Sequence, residues 1–295
     1  MTTTTSRTAR GTRPATPDVL VLGGTGKTGR RVVRRLRDTG TARVRAASRS
    51  GEVTFDWTVR ETWEPALKGA SAVYLVAPED PVAVGEFVAD AVRAGVRRFV
   101  ALSGHGTEAA AGTGVAGDAF GQGMVAGETA VRGSGAEWTI IRPSNFFQNF
   151  DEDLWLAPLR AGRLALPIGA VPEPFVDAQD VAEVAAAVLT GDGHAGRTYE
   201  LTGPRALTFA GSTETIARAA GRPIRYEELT PQAYRAELLG QGWPKAVVDL
   251  LGGMFAVHRA GHTTALGDGV QQVLGREPGD LAVWARRVAA EGTWA

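Results

Sequence analysis

The stretch Val19–Val33, which reads VLVLGGTGKTGRRVV, joins an apolar run, a glycine-rich turn and the start of a basic segment. The apolar run predicts a strand, and the residues from Arg30 onward predict a helix. Gly23, Gly26 and Gly29 lie three residues apart between the two. Backbone N–H groups at such a turn can approach a pyrophosphate, whose charge is favoured by the positive end of the helix. The stretch therefore predicts a phosphate-binding turn in an α/β fold.

The same turn also resembles the end of a triphosphate-binding loop, but its spacing excludes that interpretation. Such a loop requires a glycine five residues before Gly26, and Val21 of the predicted strand occupies that position. The turn is therefore expected to hold the diphosphate of a dinucleotide. The residues predicted to contact it are Gly23, Thr25, Gly26, Lys27, Thr28 and Gly29.

Composition narrows the classes of protein to which the chain can belong. Its 295 residues include 32 basic and 32 acidic side chains, so the formal net charge is zero and no nucleic-acid partner is expected. The chain has no cysteine, which excludes disulfides and suits a reducing cytoplasm. Residues 1–17 predict a disordered tail, and no apolar run reaches the roughly 20 residues of a membrane span. We expect a cytoplasmic monomer or homodimer with a small-molecule substrate, no membrane partner and no metal.

Short apolar runs alternate with helical patterns along the first half of the chain. The predicted strands after the first one cover residues 42–49, 53–55, 72–76, 98–102 and 137–143. Such alternation predicts a Rossmann-type, doubly wound parallel sheet covered by helices on both faces. We expect a dinucleotide-binding core at 18–150 and a smaller, mainly helical substrate-binding or lid region at 151–295. Within that region, residues 174–204 are predicted to return to the core sheet.

Polar residues at the end of the second predicted strand indicate which dinucleotide binds. An acidic residue at this position would bind a ribose 2′-hydroxyl, whereas an arginine can accept a 2′-phosphate. Ser48, Arg49 and Ser50 occupy the position and predict NADP(H) as the cofactor. Asp56, after the third strand, is a candidate partner for the adenine amino group and, alternatively, a cap for the helix over 63–67.

The remaining strand ends supply candidates for the reacting end of the cofactor, because ligands in parallel sheets bind at the carboxyl ends of strands. The predicted cofactor contacts there are Ala77, Pro78, Ser103, Pro143, Asn145 and Phe146. Aromatic and amide side chains that follow the sixth strand, with two later tryptophans, suggest an apolar pocket. The predicted substrate contacts are His105, Met124, Phe147, Gln148, Trp155 and Trp243.

Four motifs extend this pattern: GETAV at 127–131, WTIIRPSNFFQNF at 138–150, PFVD at 174–177 and TYELTGP at 198–204. With the glycine turn and Arg49, they make residues 18–290 resemble NmrA-like members of the atypical short-chain dehydrogenase/reductase superfamily. Within that group, the motifs are similar to those of bacterial relatives of an ergot-alkaloid-pathway reductase. The resemblance implies an NADP(H)-binding oxidoreductase.

The chain departs from ordinary members of that superfamily where they carry a Tyr-x-x-x-Lys pair. Met124 and Glu128 occupy these positions, and methionine cannot donate a proton. One interpretation is a reductase that needs little acid help, acting on an imine or iminium, a quinone or an activated enone. A second is a reductase with a substitute acid, for which His105 is the best candidate, with Ser103 nearby. Glu128 could then stabilise a cationic substrate.

A third interpretation is a non-catalytic NADP(H)-binding redox sensor, since the resemblance includes the regulator NmrA and fold alone does not fix function. The aromatic run after the sixth strand favours the enzyme over the sensor. Other chemistries fit poorly. His258 and His262 lie four residues apart but lack the glutamate and cysteine neighbours of a zinc site. The sequence around Ser103 does not match the nucleophile turn of a hydrolase.

Overall fold

A seven-stranded, all-parallel sheet forms the centre of the molecule. The computed structural model describes residues 16–78, 80–107 and 121–295, so the predicted tail lies almost entirely outside the described residues. Going across the sheet, the strand order is β3-β2-β1-β4-β5-β6-β8. The bounds of these strands are β1 Asp18–Leu22, β2 Arg43–Ser48, β3 Val53–Thr54, β4 Ala72–Val76, β5 Arg98–Leu102, β6 Glu137–Pro143 and β8 Arg197–Leu201.

Helices cover both faces of the sheet, as the alternation of strands and helices predicts. One face packs against α1 (Gly29–Thr39) and α6 (Ala178–Thr190). The other packs against α2 (Trp63–Leu67), α3 (Pro81–Arg93) and α4 (Gln122–Gly133). The four residues 19–22 of β1 are fully buried, which explains why this strand reads as a continuous apolar run rather than an alternating one.

The sheet order reverses between β1 and β4, which are hydrogen-bonded neighbours although two strands separate them in the chain. In a doubly wound sheet this reversal opens a crevice at the carboxyl ends of the strands. The fold is therefore the predicted Rossmann-type α/β class, and its crevice is formed by the loops that follow β1, β4, β5 and β6.

A second, smaller layer follows β6 and has its own apolar core. It contains a parallel pair of strands that the sequence did not predict, β7 (Arg163–Leu166) and β9 (Arg225–Glu228). Its helices are α5 Leu156–Arg160, α7 Phe209–Ala220, α8 Pro231–Gly240, α9 Lys245–Arg259 and α11 Leu281–Ala290, while α10 (Gly269–Leu274) packs on α6 of the main sheet. None of the helices in the described part of the chain is both long and apolar enough to cross a lipid bilayer.

Asp177 is the N-cap residue of α6. Its carboxylate accepts a hydrogen bond from the Gln179 backbone N–H at 2.8 Å, which satisfies one of the free donors of the helix. Asp180 lies inside the helix and pairs with Arg276 at 2.7 Å. The helix thereby carries the chain from the second layer back to β8 at the edge of the sheet, beside β6.

Candidate active site

The turn after β1 has the tight geometry that a phosphate cradle requires. Gly23 adopts a positive φ of 63°, and a Cβ placed on Gly29 would lie 2.1 Å from the carbonyl oxygen of Gly23. Only glycine fits at both positions, because a side chain would clash with backbone or require a left-handed conformation. The first residues of α1 therefore lie directly against the turn, so the positive end of the helix is at the place predicted for the diphosphate. The residues present fit a dinucleotide.

The end of β2 lies beside this turn, where the sequence predicts the adenosine ribose. The Ser48 hydroxyl oxygen accepts a hydrogen bond from the Thr25 hydroxyl at 3.1 Å and another from the Ser50 backbone N–H at 3.3 Å. Arg49 and Ser50 are exposed to solvent. The structure thus places Arg49 at the rim next to the glycine turn, and its contact with a 2′-phosphate stays a prediction.

Asp56 does not cap the helix over 63–67, which was one of its two predicted roles. Its carboxylate accepts hydrogen bonds from the backbone N–H and hydroxyl of Thr58, at 2.9 and 2.8 Å. These two bonds are the main reason that its pKa is lowered, and nearby Arg49 adds to the effect. The carboxylate therefore fixes a turn at the end of β3, and its contact with adenine stays a prediction.

A cavity of about 930 Å³ opens at the carboxyl ends of β4, β5 and β6. Its size suits a small organic ligand, and its lining is mostly apolar. Its lining includes predicted cofactor contacts and predicted substrate contacts, namely Lys27, Ala77, Ser103, His105, Met124, Pro143, Asn145 and Phe146. The predicted contact Pro78 and the adenosine-side residues lie outside this lining.

His105 has the arrangement of a functional histidine. Its Nδ1 lies 2.7 Å from the Glu200 carboxylate on β8, which fixes the orientation of the ring. Its Nε2 is buried and makes no hydrogen bond to any of the described residues. Buried polar atoms normally have a partner, and an exception in a cavity wall marks a place where a ligand can bind. Because His105 also lines the cavity, its Nε2 is the candidate proton donor to a molecule bound there.

Glu128 does not line the cavity, contrary to the expectation that it faces a cationic substrate. Arg142 binds both of its carboxylate oxygens, at 2.8 and 2.7 Å, and the Ser103 hydroxyl donates to it at 2.6 Å. Burial raises the pKa of Glu128, but the hydrogen bonds from Arg142 and Ser103 outweigh burial and lower it. The charge of the carboxylate is balanced by its arginine partner. The Ser103 hydroxyl donates its hydrogen bond to Glu128 and not to a molecule in the cavity.

Met124 lies at the start of α4, in the position where the resemblance would place a tyrosine. It lines the cavity, and its sulfur lies 3.9 Å from the Thr107 hydroxyl. A thioether accepts weak hydrogen bonds but carries no proton to donate. Met124 therefore shapes the apolar wall and leaves acid chemistry to other residues.

Two of the predicted substrate contacts next to Asn145 are structural instead. Phe147 is buried against Trp284, with ring centroids 5.4 Å apart. Gln148 is buried at the N-terminus of α6, where its side-chain oxygen accepts from the Ala178 backbone N–H at 2.8 Å. The 3-10 turn of residues 147–149 directs Phe147 into the second layer and Gln148 to the start of α6, and neither side chain lines the cavity.

The two predicted tryptophans also lie away from the cavity. Trp155 is 2% exposed and packs edge-on against Phe209 in the core of the second layer. Trp243 is 37% exposed in the turn between α8 and α9. Trp155 therefore anchors its loop to the core, as large aromatic side chains often do, whereas Trp243 lies at the surface.

A second histidine, His258 of α9, lines the cavity and was considered from the sequence only as a zinc ligand. Its Nδ1 lies 3.0 Å from the Glu173 carboxylate and 2.9 Å from the Thr263 hydroxyl, while its Nε2 meets the Asn145 amide at 2.9 Å. Glu173 is 1% exposed. The signal available in the sequence was an isolated acid between two prolines in an otherwise apolar stretch, 171–176.

Lys27 connects the glycine turn to the cavity. Its ammonium donates hydrogen bonds to the Asn149 side-chain oxygen and, at 3.1 Å, to Asp153, and it lies 5.6 Å from the centre of the Phe146 ring. Within the described ranges, no group of three or more histidine, aspartate or glutamate side chains is placed to hold a metal ion.

Comparisons with known proteins agree with this geometry. A model of the family described as NAD(P)H-binding matches residues 23–192. A (4-alkanoyl-5-oxo-2,5-dihydrofuran-3-yl)methyl phosphate reductase from Streptomyces griseus is 35% identical over 279 residues, which cover 90% of this chain and 96% of the relative. An NAD(P)H azoreductase from Xenophilus azovorans is 31% identical, over 92% of this chain and 98% of the relative.

The expected similarity to ergot-pathway reductases is confirmed by an agroclavine dehydrogenase from Claviceps fusiformis, which is 27% identical over 90% of this chain and 94% of that relative. Among solved structures, an NADPH-dependent quinone oxidoreductase from Escherichia coli in complex with NADPH shares the fold. Its TM-score is 0.79 at 20% identity, over 92% of this chain and 99% of that one. The chain therefore belongs to the NAD(P)H-binding family and is an NAD(P)H-dependent oxidoreductase.

Proposed function

We propose that the chain uses NADPH to reduce a small unsaturated molecule, namely an imine or iminium, a quinone or an activated enone, with His105 in place of the missing tyrosine. The observation that supports this most directly is the buried Nε2 of His105, which has no hydrogen-bond partner among the described residues, on a residue that lines the apolar cavity at the sheet's carboxyl edge. The azoreductase and the furanone-type reductase are named for reducing unsaturated groups, which agrees with this substrate class.

The cofactor would lie along the rim from Arg49 to Asn145. Arg49 and Ser50 would bind the 2′-phosphate, and the glycine turn with Lys27 would bind the diphosphate. The loop after β6 would then hold the nicotinamide against the cavity. NADPH, when bound, supplies the hydride.

The chain's own residues would position the acceptor and supply a proton. The apolar wall around Met124 and Phe146 would position the acceptor, and Glu200 holds the His105 ring, whose protonated Nε2 would donate to that acceptor. That proton would go to the oxygen or nitrogen of the acceptor as its carbon receives hydride. An iminium already carries positive charge and needs no proton, so it would depend less on His105.

The test is a comparison of His105→Gln with the wild type on two kinds of acceptor. On quinones and enones we expect kcat to fall by about 10²- to 10⁴-fold, the usual contribution of a general acid. On a preformed iminium we expect little change, with NADPH affinity preserved in both proteins. His262→Gln, a change at a nearby histidine outside the cavity lining, serves as the control. Equal kcat values for His105→Gln and wild type on all acceptors would contradict the role of His105.

A further inference from the structure

A chain of hydrogen bonds runs from the glycine turn to the buried carboxylate of Glu173. Lys27 donates to the Asn149 oxygen, and the Asn149 amide donates to the Asn145 oxygen at 3.3 Å. The Asn145 amide meets His258 Nε2 at 2.9 Å, and His258 Nδ1 lies 3.0 Å from Glu173. The chain thus joins the predicted diphosphate site to the second histidine of the cavity.

The two ends of the chain fix its direction. An ammonium can only donate hydrogen bonds and an ionised carboxylate can only accept them. Both oxygens of Glu173 accept hydrogen bonds, Oε1 from the Asn145 backbone N–H at 3.2 Å and Oε2 from the Thr263 hydroxyl at 2.7 Å, so His258 Nδ1 donates at this end. With Lys27 donating at one end, each amide in turn donates toward His258, whose Nε2 must then accept. In this arrangement the imidazole carries its single proton on Nδ1.

The two ends nevertheless favour different states of the imidazole. A buried carboxylate in contact with Nδ1 stabilises a positively charged ring by direct attraction. A proton on Nε2 would instead meet the N–H₂ group of Asn145, which Lys27 holds in place through Asn149. The orientation of two amide groups therefore decides whether His258 can hold a second proton.

We propose that NADPH binding causes His258 to take up a proton, because it reorients the side chains of this hydrogen-bond chain. The inference rests on the proposed binding of NADPH at the glycine turn. The phosphates would take the ammonium of Lys27 away from Asn149. Both amides could then rotate by 180°, so that the Asn145 oxygen accepts from His258. His258 Nε2 takes one proton from solvent, and no other covalent bond is made or broken.

The surroundings of His258 explain where the added charge acts. Among the described residues, the hydrogen-bonding partners of its ring are Glu173, Thr263 and Asn145, of which only Glu173 is charged, and the Phe255 ring lies 6.4 Å away. His105 lines the same cavity, and Lys27 is separated from the ring by two amides. A positive His258 would raise the electrostatic potential of the cavity, which favours acceptors that gain negative charge as hydride arrives.

Calorimetric titration with NADPH in two buffers of different ionisation enthalpy near neutral pH counts the protons taken up. We expect the wild type to take up more than His258→Gln, by up to one proton per NADPH. The 2′-phosphate can also change its protonation, but it does so equally in both proteins and cancels in the difference. His262→Gln should behave as the wild type does. By linkage, the wild-type Kd for NADPH should rise with pH, by about tenfold per pH unit at most.

Lys27→Met tests the same hydrogen-bond chain at its glycine-turn end. Without the ammonium, the amides are free before NADPH binds, so His258 is already charged and the uptake should fall to the value for His258→Gln. Equal uptake by wild type and His258→Gln would overturn the proposal. If His258→Gln does not fold, uptake retained by Lys27→Met overturns it instead. A wild type that does not bind NADPH at all would refute the proposed function, which separates the two failures.

Discussion

At the scale of single residues, Glu128 has a structural role at a position that is catalytic in ordinary members of the superfamily it resembles. It stands where the resemblance places a catalytic lysine, yet its carboxylate is buried against Arg142 and Ser103. Removing one partner of a buried ion pair costs about 3–5 kcal/mol when the other is left without compensation, but Arg142 also contacts the Glu200 carboxylate at 3.1 Å. We therefore expect Glu128→Gln to lower the free energy of unfolding by less than about 3–5 kcal/mol in urea titrations, without a specific loss of affinity for cationic substrates.

The pH dependence of that effect follows from the lowered pKa of Glu128. A carboxyl group whose pKa is lower in the folded state stabilises the fold above its unfolded pKa. That contribution is lost as the pH falls through the folded value. The stability difference between wild type and Glu128→Gln should thus be largest near neutral pH and shrink below about pH 4. A difference independent of pH would contradict this account of the ion pair.

Arg49 is the residue on which the proposed preference for NADPH depends. A hydrogen bond to a charged group contributes about 1.5–3 kcal/mol, so Arg49→Ala should raise the Kd for NADPH by about 10- to 100-fold. The Kd for NADH, which lacks the 2′-phosphate, should stay the same. Fluorescence titration with both cofactors measures this, and Arg34→Ala, on the exposed face of α1, is the matched control. An equal loss for both cofactors would argue against a 2′-phosphate contact.

At the scale of elements, the segment after β6 explains why its aromatic residues are not substrate contacts. The 3-10 turn at Phe147–Asn149 directs the following chain into the second layer, where Trp155 packs against Phe209. Trp155→Ala should therefore cost about 3–5 kcal/mol of stability, as other large-to-small changes in cores do. Trp243→Ala, at a partly exposed turn, should cost less than about 1 kcal/mol.

Thermal unfolding of the two tryptophan variants, with KM measured on the same samples at a temperature where both are folded, tests this assignment. The structure places neither side chain at the cavity, so we expect KM to be unchanged in both. A raised KM for Trp243→Ala with unchanged stability would instead return that residue to the substrate site.

At the scale of the whole molecule, the sequence was sufficient to predict the sheet and its crevice. Buried parallel strands read as continuous apolar runs, and the glycine turn has few structural solutions, so local patterns carried the information. The partners of the cavity histidines were not predictable in this way. His105 and Glu200 lie 95 positions apart, and Asn145 and His258 lie 113 apart. Their contacts depend on how the second layer packs on the sheet, and no local pattern reports that packing.

The central claim is that the chain reduces small unsaturated molecules with NADPH. The most direct measurement is NADPH oxidation at about 340 nm by the purified protein, with cyclic imines, quinones and activated enones as acceptors. We predict tight NADPH binding and turnover of at least one of these classes. Tight binding with no turnover of any acceptor would contradict the claim and favour an NADP(H)-binding sensor.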